Sequence, residues 1–323
     1  MSDWTVLYLN RATPDLYRVM LEECPPGLRL LFLDSDRQDE VWEKLPLADA
    51  ILIADGPLTG ETVERAERLK MVQHQGVGYE RIDTKALAKA GALLALCPAG
   101  TPESVGEHAL LLILAVLKRV VAAHNSMVAG KWWMWELRPG TRNLFGKTAG
   151  LIGFGRTGRA TGQRLKGFEV RLLACDPYIT LTDAERAEYG VALVDKATLL
   201  READIVSLHV PLTEETRHLI GKPELELMKP SAVLINVSRG GVIDQDAVYE
   251  ALKARRIMGA GLDVYSPEPH PPGHPLTTLD NVVLTPHVAA GTLDTFRTKM
   301  RFALGNIARV MRGEEPQERV RSA

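Results

Sequence analysis

Cysteine is scarce in this 323-residue chain: Cys24, Cys97 and Cys175 lie far apart, with no Cys-x-x-Cys pair. That spacing excludes a disulfide framework and offers neither a zinc site nor a dithiol redox pair, so the three read as reduced core thiols. No ligand spacing for any other metal stands out, and none is expected. Long hydrophobic runs are missing too. The longest, ALLLILAVL over 109–117, covers nine residues, where a membrane span needs about 20; it reads as a buried helix. The opening MSDWTVLYLN has no basic region leading into an apolar core and cleavage site, which argues against a secretory leader. Neither sign of charge dominates, with 39 Lys and Arg against 41 Asp and Glu and a net charge of −2. No long basic stretch marks a surface for nucleic acid or anionic membrane. Small-molecule chemistry in the cytoplasm is the expectation. The length, with 46% hydrophobic and 25% charged residues, suits a globular protein of two domains.

Short apolar runs alternate with polar helical ones in the first hundred residues: TVLYLN (5–10), LRLLFLD (28–34), AILIAD (50–55), LKMVQHQG (69–76) and ALLALCP (92–98). Continuously apolar strands separated by helices predict a parallel sheet covered on both faces. One long helix is predicted over 102–129, opened by Pro102 and Glu103. The following AGKWWMWELRPGTRNLFGK fits no regular element. A second alternating series runs through TAGLIG (148–153), EVRLLACD (169–176), DIVSLHV (204–210), AVLINVS (232–238), GAGLDVY (259–265) and VVLTPH (282–287). It predicts a second parallel sheet. The last thirty-odd residues read as a helix returning to the first domain.

The stretch AGLIGFGRTGRA (149–160) places Gly153, Gly155 and Gly158 between a strand and a helix starting near Arg156. This is the context of a dinucleotide fingerprint. The first glycine permits the turn, the second lets the backbone approach a pyrophosphate, and the third lets the helix pack on the strand, with its N-terminal amides facing the phosphates. The next strand ends in Asp176, 21 residues after Gly155, where a carboxylate can accept from the adenosine ribose hydroxyls. It would repel a 2′-phosphate, and the following PYIT brings no arginine, so NAD is expected rather than NADP.

Ligands of doubly wound sheets bind beyond the carboxyl ends of the strands. Three polar residues fall there: Arg239 after AVLINVS, Glu268 three residues past GAGLDVY, and His287 ending VVLTPH. Hydride transfer at an α-carbon requires a group that exchanges a proton with the hydroxyl or keto oxygen, and imidazole titrates in the right range. A neighbouring carboxylate favours the imidazolium and orients the ring, and a guanidinium fork can hold a substrate carboxylate. In the first domain, QGVGYERID (75–83) carries Gly76 and Gly78 after a strand, a turn whose successive amides could bind an anion.

With these residues in place, the chain resembles the D-isomer-specific 2-hydroxyacid dehydrogenases. GVGYERID, GLIGFGRTGRA, CDPY, LHVPLTEETRHLI, NVSRGGVID, GLDVYSPEP and LTPHVAAGT occur in the family's order over nearly the whole length. The resemblance implies two doubly wound parallel-sheet α/β domains. A Rossmann NAD-binding domain (102–289) would be inserted in a flavodoxin-like substrate domain (1–101 and 290–323). It implies Arg239, Glu268 and His287 as the catalytic trio, and Val77 and Gly78, with Arg239 and His287, as substrate-binding residues. Cofactor contacts would come from Gly153, Gly155, Arg156, Thr157, Gly158, Asp176, His209, Val210, Pro211, Thr216, Val237, Ser238, Arg239, Asp263, His287, Ala289 and Ala290, with Asp263 near the nicotinamide carboxamide. It further implies a homodimer in which the region of Trp132 to Trp135 packs against the partner. The substrate would be a small D-2-hydroxy or 2-keto acid of the glycerate, phosphoglycerate, glyoxylate, hydroxypyruvate or lactate type. Formate dehydrogenases match less well, having glutamine where Glu268 stands. Two alternatives stay open: oxidation of phosphite or another small acid by the same trio, and an NAD-sensing corepressor.

Overall fold

The computed structural model describes residues 3–321. The chain divides into two compact units, one containing residues up to Thr101 together with those from Thr292 onward, the other running Pro102–Gly291. The second boundary lies two residues beyond the expected 289.

In the first unit, strands β1 (Trp4–Tyr8), β2 (Leu28–Leu31), β3 (Ala50–Ile53), β4 (Met71–His74) and β5 (Leu93–Ala95) form a parallel sheet in the order β2-β1-β3-β4-β5. This is the flavodoxin-like winding. Strand alternation divides its core in two. Leu7, Ile51, Ile53 and Val72 belong to one apolar layer; Val6, Tyr8, Ala50, Leu52 and Met71 belong to the other, joined there by Phe296, Met300, Ala303, Leu304 and Ile307 of the helix Leu293–Met311. Burying each of these larger side chains contributes about 1.5–3 kcal/mol. Those five apolar contacts attach the C-terminal helix to the first sheet.

The second unit carries β6 (Thr148–Ile152), β7 (Arg171–Cys175), β8 (Val191–Leu193), β9 (Ile205–Leu208), β10 (Val233–Asn236), β11 (Gly259–Leu262) and β12 (Val282–Leu284), all parallel, in the order β12-β11-β10-β9-β6-β7-β8. This is the Rossmann order with one added edge strand. The winding reverses between β6 and β9, so the switch point lies at the glycine stretch.

Two elements differ from the sequence reading. The expected helix over 102–129 is two, Thr101–Leu117 and Val120–Val128, broken where Arg119 takes a left-handed φ of 51°. There the Arg119 guanidinium reaches Asp280 at 3.0 Å and Lys118 donates to Asn143 at 2.6 Å, contacts that turn the chain out of the helix. Strand β8 was not foreseen; its three residues are buried, exposed and half-buried in turn, too few for a periodicity signal. Of the cysteines, only Cys97 is fully buried, and none is in a disulfide. Among the described residues, no helix is long and apolar enough to cross a membrane.

Candidate active site

The carboxyl ends of three adjacent strands supply Arg239, Glu268 and His287. They follow β10, β11 and β12, neighbours in the sheet, and the fold gathers them in the second unit. His287 Nδ1 and Glu268 Oε2 are 2.8 Å apart. The other carboxylate oxygen, Oε1, accepts the Tyr265 backbone N–H at 2.8 Å, so both Glu268 oxygens are committed and the carboxylate is fixed towards the ring. No described residue bonds His287 Nε2.

The electrostatics are mutually consistent. The bond to Glu268 raises the His287 pKa above the ordinary histidine value; burial opposes this, and the negative charges of Glu268 and Asp263 add to it. Burial would raise the Glu268 pKa, yet hydrogen bonds from His287 and the Tyr265 amide, with the charges of His287 and Arg239, hold it below the ordinary carboxylate value. Each shift favours the charged form of its group.

His287 has a left-handed φ of 52°, a conformation costing a non-glycine residue about 1 kcal/mol or more. Asp263, fully buried, holds that turn. Its Oδ1 accepts from the Val288 N–H at 2.9 Å and the Thr285 hydroxyl at 2.6 Å, its Oδ2 from the Ala289 N–H at 2.9 Å, and its backbone carbonyl from the His287 N–H at 2.8 Å. Behind it, His108 Nε2 lies 2.9 Å from Thr285 Oγ1. Arg239 is shaped from the end of β10. Asn236 accepts from the Ser238 N–H and hydroxyl and donates to the Arg239 carbonyl at 3.0 Å, and one Arg239 guanidinium nitrogen donates to the Ser238 carbonyl at 2.8 Å. The rest of that fork bonds no described residue.

The dinucleotide residues collect around the switch point. Gly153 turns with φ +88°, and a Cβ there would fall 2.8 Å from the His209 carbonyl group. At Gly158 a Cβ would lie 2.2 Å from the Gly153 carbonyl oxygen, whereas one at Gly155 would meet nothing within 4 Å. The first and third glycines are thus required by the turn and the helix approach, and the second leaves an open backbone where a pyrophosphate can come close. Arg156, Thr157 and Gly158 form the first turn of the helix Arg156–Leu165. Asp176, following β7, accepts the Phe154 N–H at 2.9 Å and the Tyr178 N–H at 3.0 Å, which binds it to the glycine loop. Beyond β9 come His209, Val210 and Pro211, and the Thr216 hydroxyl donates to the Pro211 carbonyl at 2.6 Å, closing that loop. Burial pushes the His209 pKa down to about 3, so its ring is a neutral packing group. Val237 and Ser238 lie at the end of β10, and Ala289 and Ala290 follow His287; the Ala289 carbonyl accepts from Ser104 at 2.8 Å. These residues fit a dinucleotide.

Val77 and Gly78 belong to the first unit, in the turn after β4. Neither Gly76 nor Gly78 has a positive φ, and the Gly76 amide is spent on His74 Nδ1 at 2.9 Å. The Val77 and Gly78 amides have no acceptor among the described residues. Reading the sequence missed His108, Thr285, Tyr265 and Asn236, which support the trio without belonging to it. His108 lay within a helix and Thr285 within a strand end, and nothing in the order of residues pairs positions 177 apart. Among the described residues, no group of three or more His, Cys, Asp or Glu is placed to hold a metal ion.

Residues 110–289 match the family description "D-isomer specific 2-hydroxyacid dehydrogenase, NAD binding domain". The chain is 40% identical over 299 residues to a glyoxylate reductase of Korarchaeum cryptofilum, covering 91% of this chain and 86% of that one. It is also 40% identical over 267 residues to a D-3-phosphoglycerate dehydrogenase of Archaeoglobus fulgidus, covering 82% of this chain but only half of the relative. Among solved structures, the apo D-lactate dehydrogenase of Escherichia coli superposes with a TM-score of 0.87 at 30% identity, over 98% of this chain and 99% of that one. The strand order, the glycine loop at the switch point and these likenesses agree, and the chain belongs to the D-isomer-specific 2-hydroxyacid dehydrogenases, oxidoreductases with an NAD-binding domain.

Proposed function

We propose that the protein reduces a small 2-keto acid of the glyoxylate or hydroxypyruvate type to the D-2-hydroxy acid, with NADH preferred to NADPH. The observation that carries this reading is the 2.8 Å contact between His287 Nδ1 and Glu268 Oε2, which favours the protonated imidazole and leaves Nε2 uncommitted. Bound NADH supplies the hydride. His287 gives the Nε2 proton to the keto oxygen as negative charge develops there, and Glu268 stabilises the ring before the transfer and keeps its orientation. The unspent edge of Arg239 holds the substrate carboxylate. Asp263, held by its hydrogen-bond donors, keeps the turn of His287 in place.

We assign the first unit to substrate binding, where the Val77 and Gly78 amides offer donors suited to a carboxylate. Trp132 and Trp135 are 72% and 65% exposed, close in sequence to the exposed Val128 and Met134. Apolar surface of this kind is normally covered, which supports a homodimer formed through this face. The names of the relatives support the substrate class; Asp176, fixed beside the glycine loop, supports NAD.

The test is initial rates with NADH and a panel of glyoxylate, hydroxypyruvate, pyruvate, phenylpyruvate and phosphonopyruvate. Turnover of none of them would refute the reading. Arg239→Lys should lower kcat/KM about tenfold or more on the best of these, because an ammonium keeps the charge but cannot reproduce the planar fork. A lysine variant with near-native kcat/KM would assign the carboxylate to another residue.

A further inference from the structure

The sheet order β7-β6-β9 places the loops after β7 and β9 on either side of the glycine loop that follows β6. Those two loops are joined. Tyr178, on the first, donates its phenol to the carboxylate of Glu215, on the second. The backbone N–H of the same tyrosine donates to Asp176 Oδ1 at 3.0 Å. One residue therefore spans two carboxylates, by its amide to Asp176 and by its ring to Glu215. Tyr178 is 78% exposed, so this bond is not a consequence of core packing. The loop beneath Glu215 is itself held, by the Thr213 N–H donating to Thr216 Oγ1 at 2.7 Å and the Thr216 hydroxyl donating to the Pro211 carbonyl. The phenol registers both charges. Its pKa is raised first by the hydrogen bond to Glu215, then by that residue's charge, with burial and Asp176 adding smaller effects.

We propose that Glu215, positioned by Tyr178, is a second specificity carboxylate that makes the adenosine end of the dinucleotide site reject a 2′-phosphate. Building on the NAD reading above, this inference adds a residue to it. Asp176 is tied to the glycine loop and Glu215 stands on the loop across from it, joined through Tyr178, so a 2′-phosphate would meet a second carboxylate there. A 2′-phosphate carries nearly two negative charges, and like charge on a neighbouring loop disfavours it. The ribose hydroxyls of NAD feel no comparable repulsion.

The experiment measures Kd for NADH and NADPH by fluorescence titration, with kcat/KM for both cofactors alongside, in the native enzyme, Glu215→Gln, Tyr178→Phe, the double variant and Asp176→Ala. Glu215→Gln should tighten NADPH relative to NADH about tenfold. Tyr178→Phe should shift the ratio the same way by less, since the carboxylate remains but is no longer held. The double variant should match Glu215→Gln, because a positioning residue has nothing left to act on. Asp176→Ala should weaken NADH by about 1.5 kcal/mol, roughly tenfold, through loss of charged hydrogen bonds. An unchanged ratio in Glu215→Gln, equal shifts for both cofactors, additive effects in the double variant, or a native enzyme that binds NADPH as tightly as NADH would each overturn the proposal. Because Kd is read without turnover, failure of the keto-acid panel leaves this outcome separately decided.

Discussion

His287→Gln is expected to lower kcat for keto-acid reduction by about 10²–10⁴-fold, the usual contribution of a positioned general acid. Glutamine retains a hydrogen-bonding side chain but has no proton to give at neutral pH. Substrate and cofactor affinity should change far less than kcat, since Arg239 and the glycine loop stay in place. Steady-state kinetics with NADH, together with NADH titration of the variant, separates the two effects. A loss below tenfold in kcat, or a loss carried mainly by Kd for NADH, would show that His287 is not the proton donor. The variant should also lose the pH dependence of the native rate, which a merely structural histidine would not control.

The arrangement of this site was legible in the sequence because it sets unusual residues in unusual places. Gly153 and Gly158 are demanded by a positive φ and a 2.2 Å approach that no side chain survives. Arg239, Glu268 and His287 each follow an apolar strand, where ionisable groups need a reason, and the parallel winding carries all three to neighbouring strand ends. What was not legible depends on distance. The support given to Asp263 by Thr285, and to Thr285 by His108, joins a helix to a strand end far away in the chain, and no periodicity reports on such a contact. The break at Arg119 escaped for a related reason: apolar residues resume at Val120 directly after Lys118 and Arg119, and Arg119 at the left-handed turn pairs with Asp280, 161 positions later. The link between Tyr178 and Glu215 belongs with these. Each residue alone is an ordinary exposed polar side chain, and only the folding of β6, β7 and β9 into neighbours brings them together.

Glu268→Gln is expected to cost on the order of 10²-fold in kcat/KM for reduction near neutral pH, since a residue that orients and charges the acid is removed while the acid itself remains. The pH dependence identifies the cause. In the native enzyme the hydrogen bond to Glu268 is the largest influence raising the His287 pKa, ahead of the opposing effect of burial. A raised pKa keeps the imidazolium populated to higher pH, so reduction persists towards alkali and fails as pH climbs through that value. Oxidation of the hydroxy acid needs the neutral ring and fails as pH drops through the same value. Glutamine keeps roughly the shape and removes the charge, which leaves burial to depress the histidine. Both limbs must therefore move to lower pH: reduction loses its alkaline range, and oxidation extends further into acid. Because the two groups titrate as a coupled pair, the profiles report apparent values for the pair. Measuring kcat/KM against pH in both directions, for the native enzyme and the Gln variant, decides the matter. Limbs that shift in opposite directions, or profiles that coincide with the native ones, would separate Glu268 from His287 and require another source for the imidazolium.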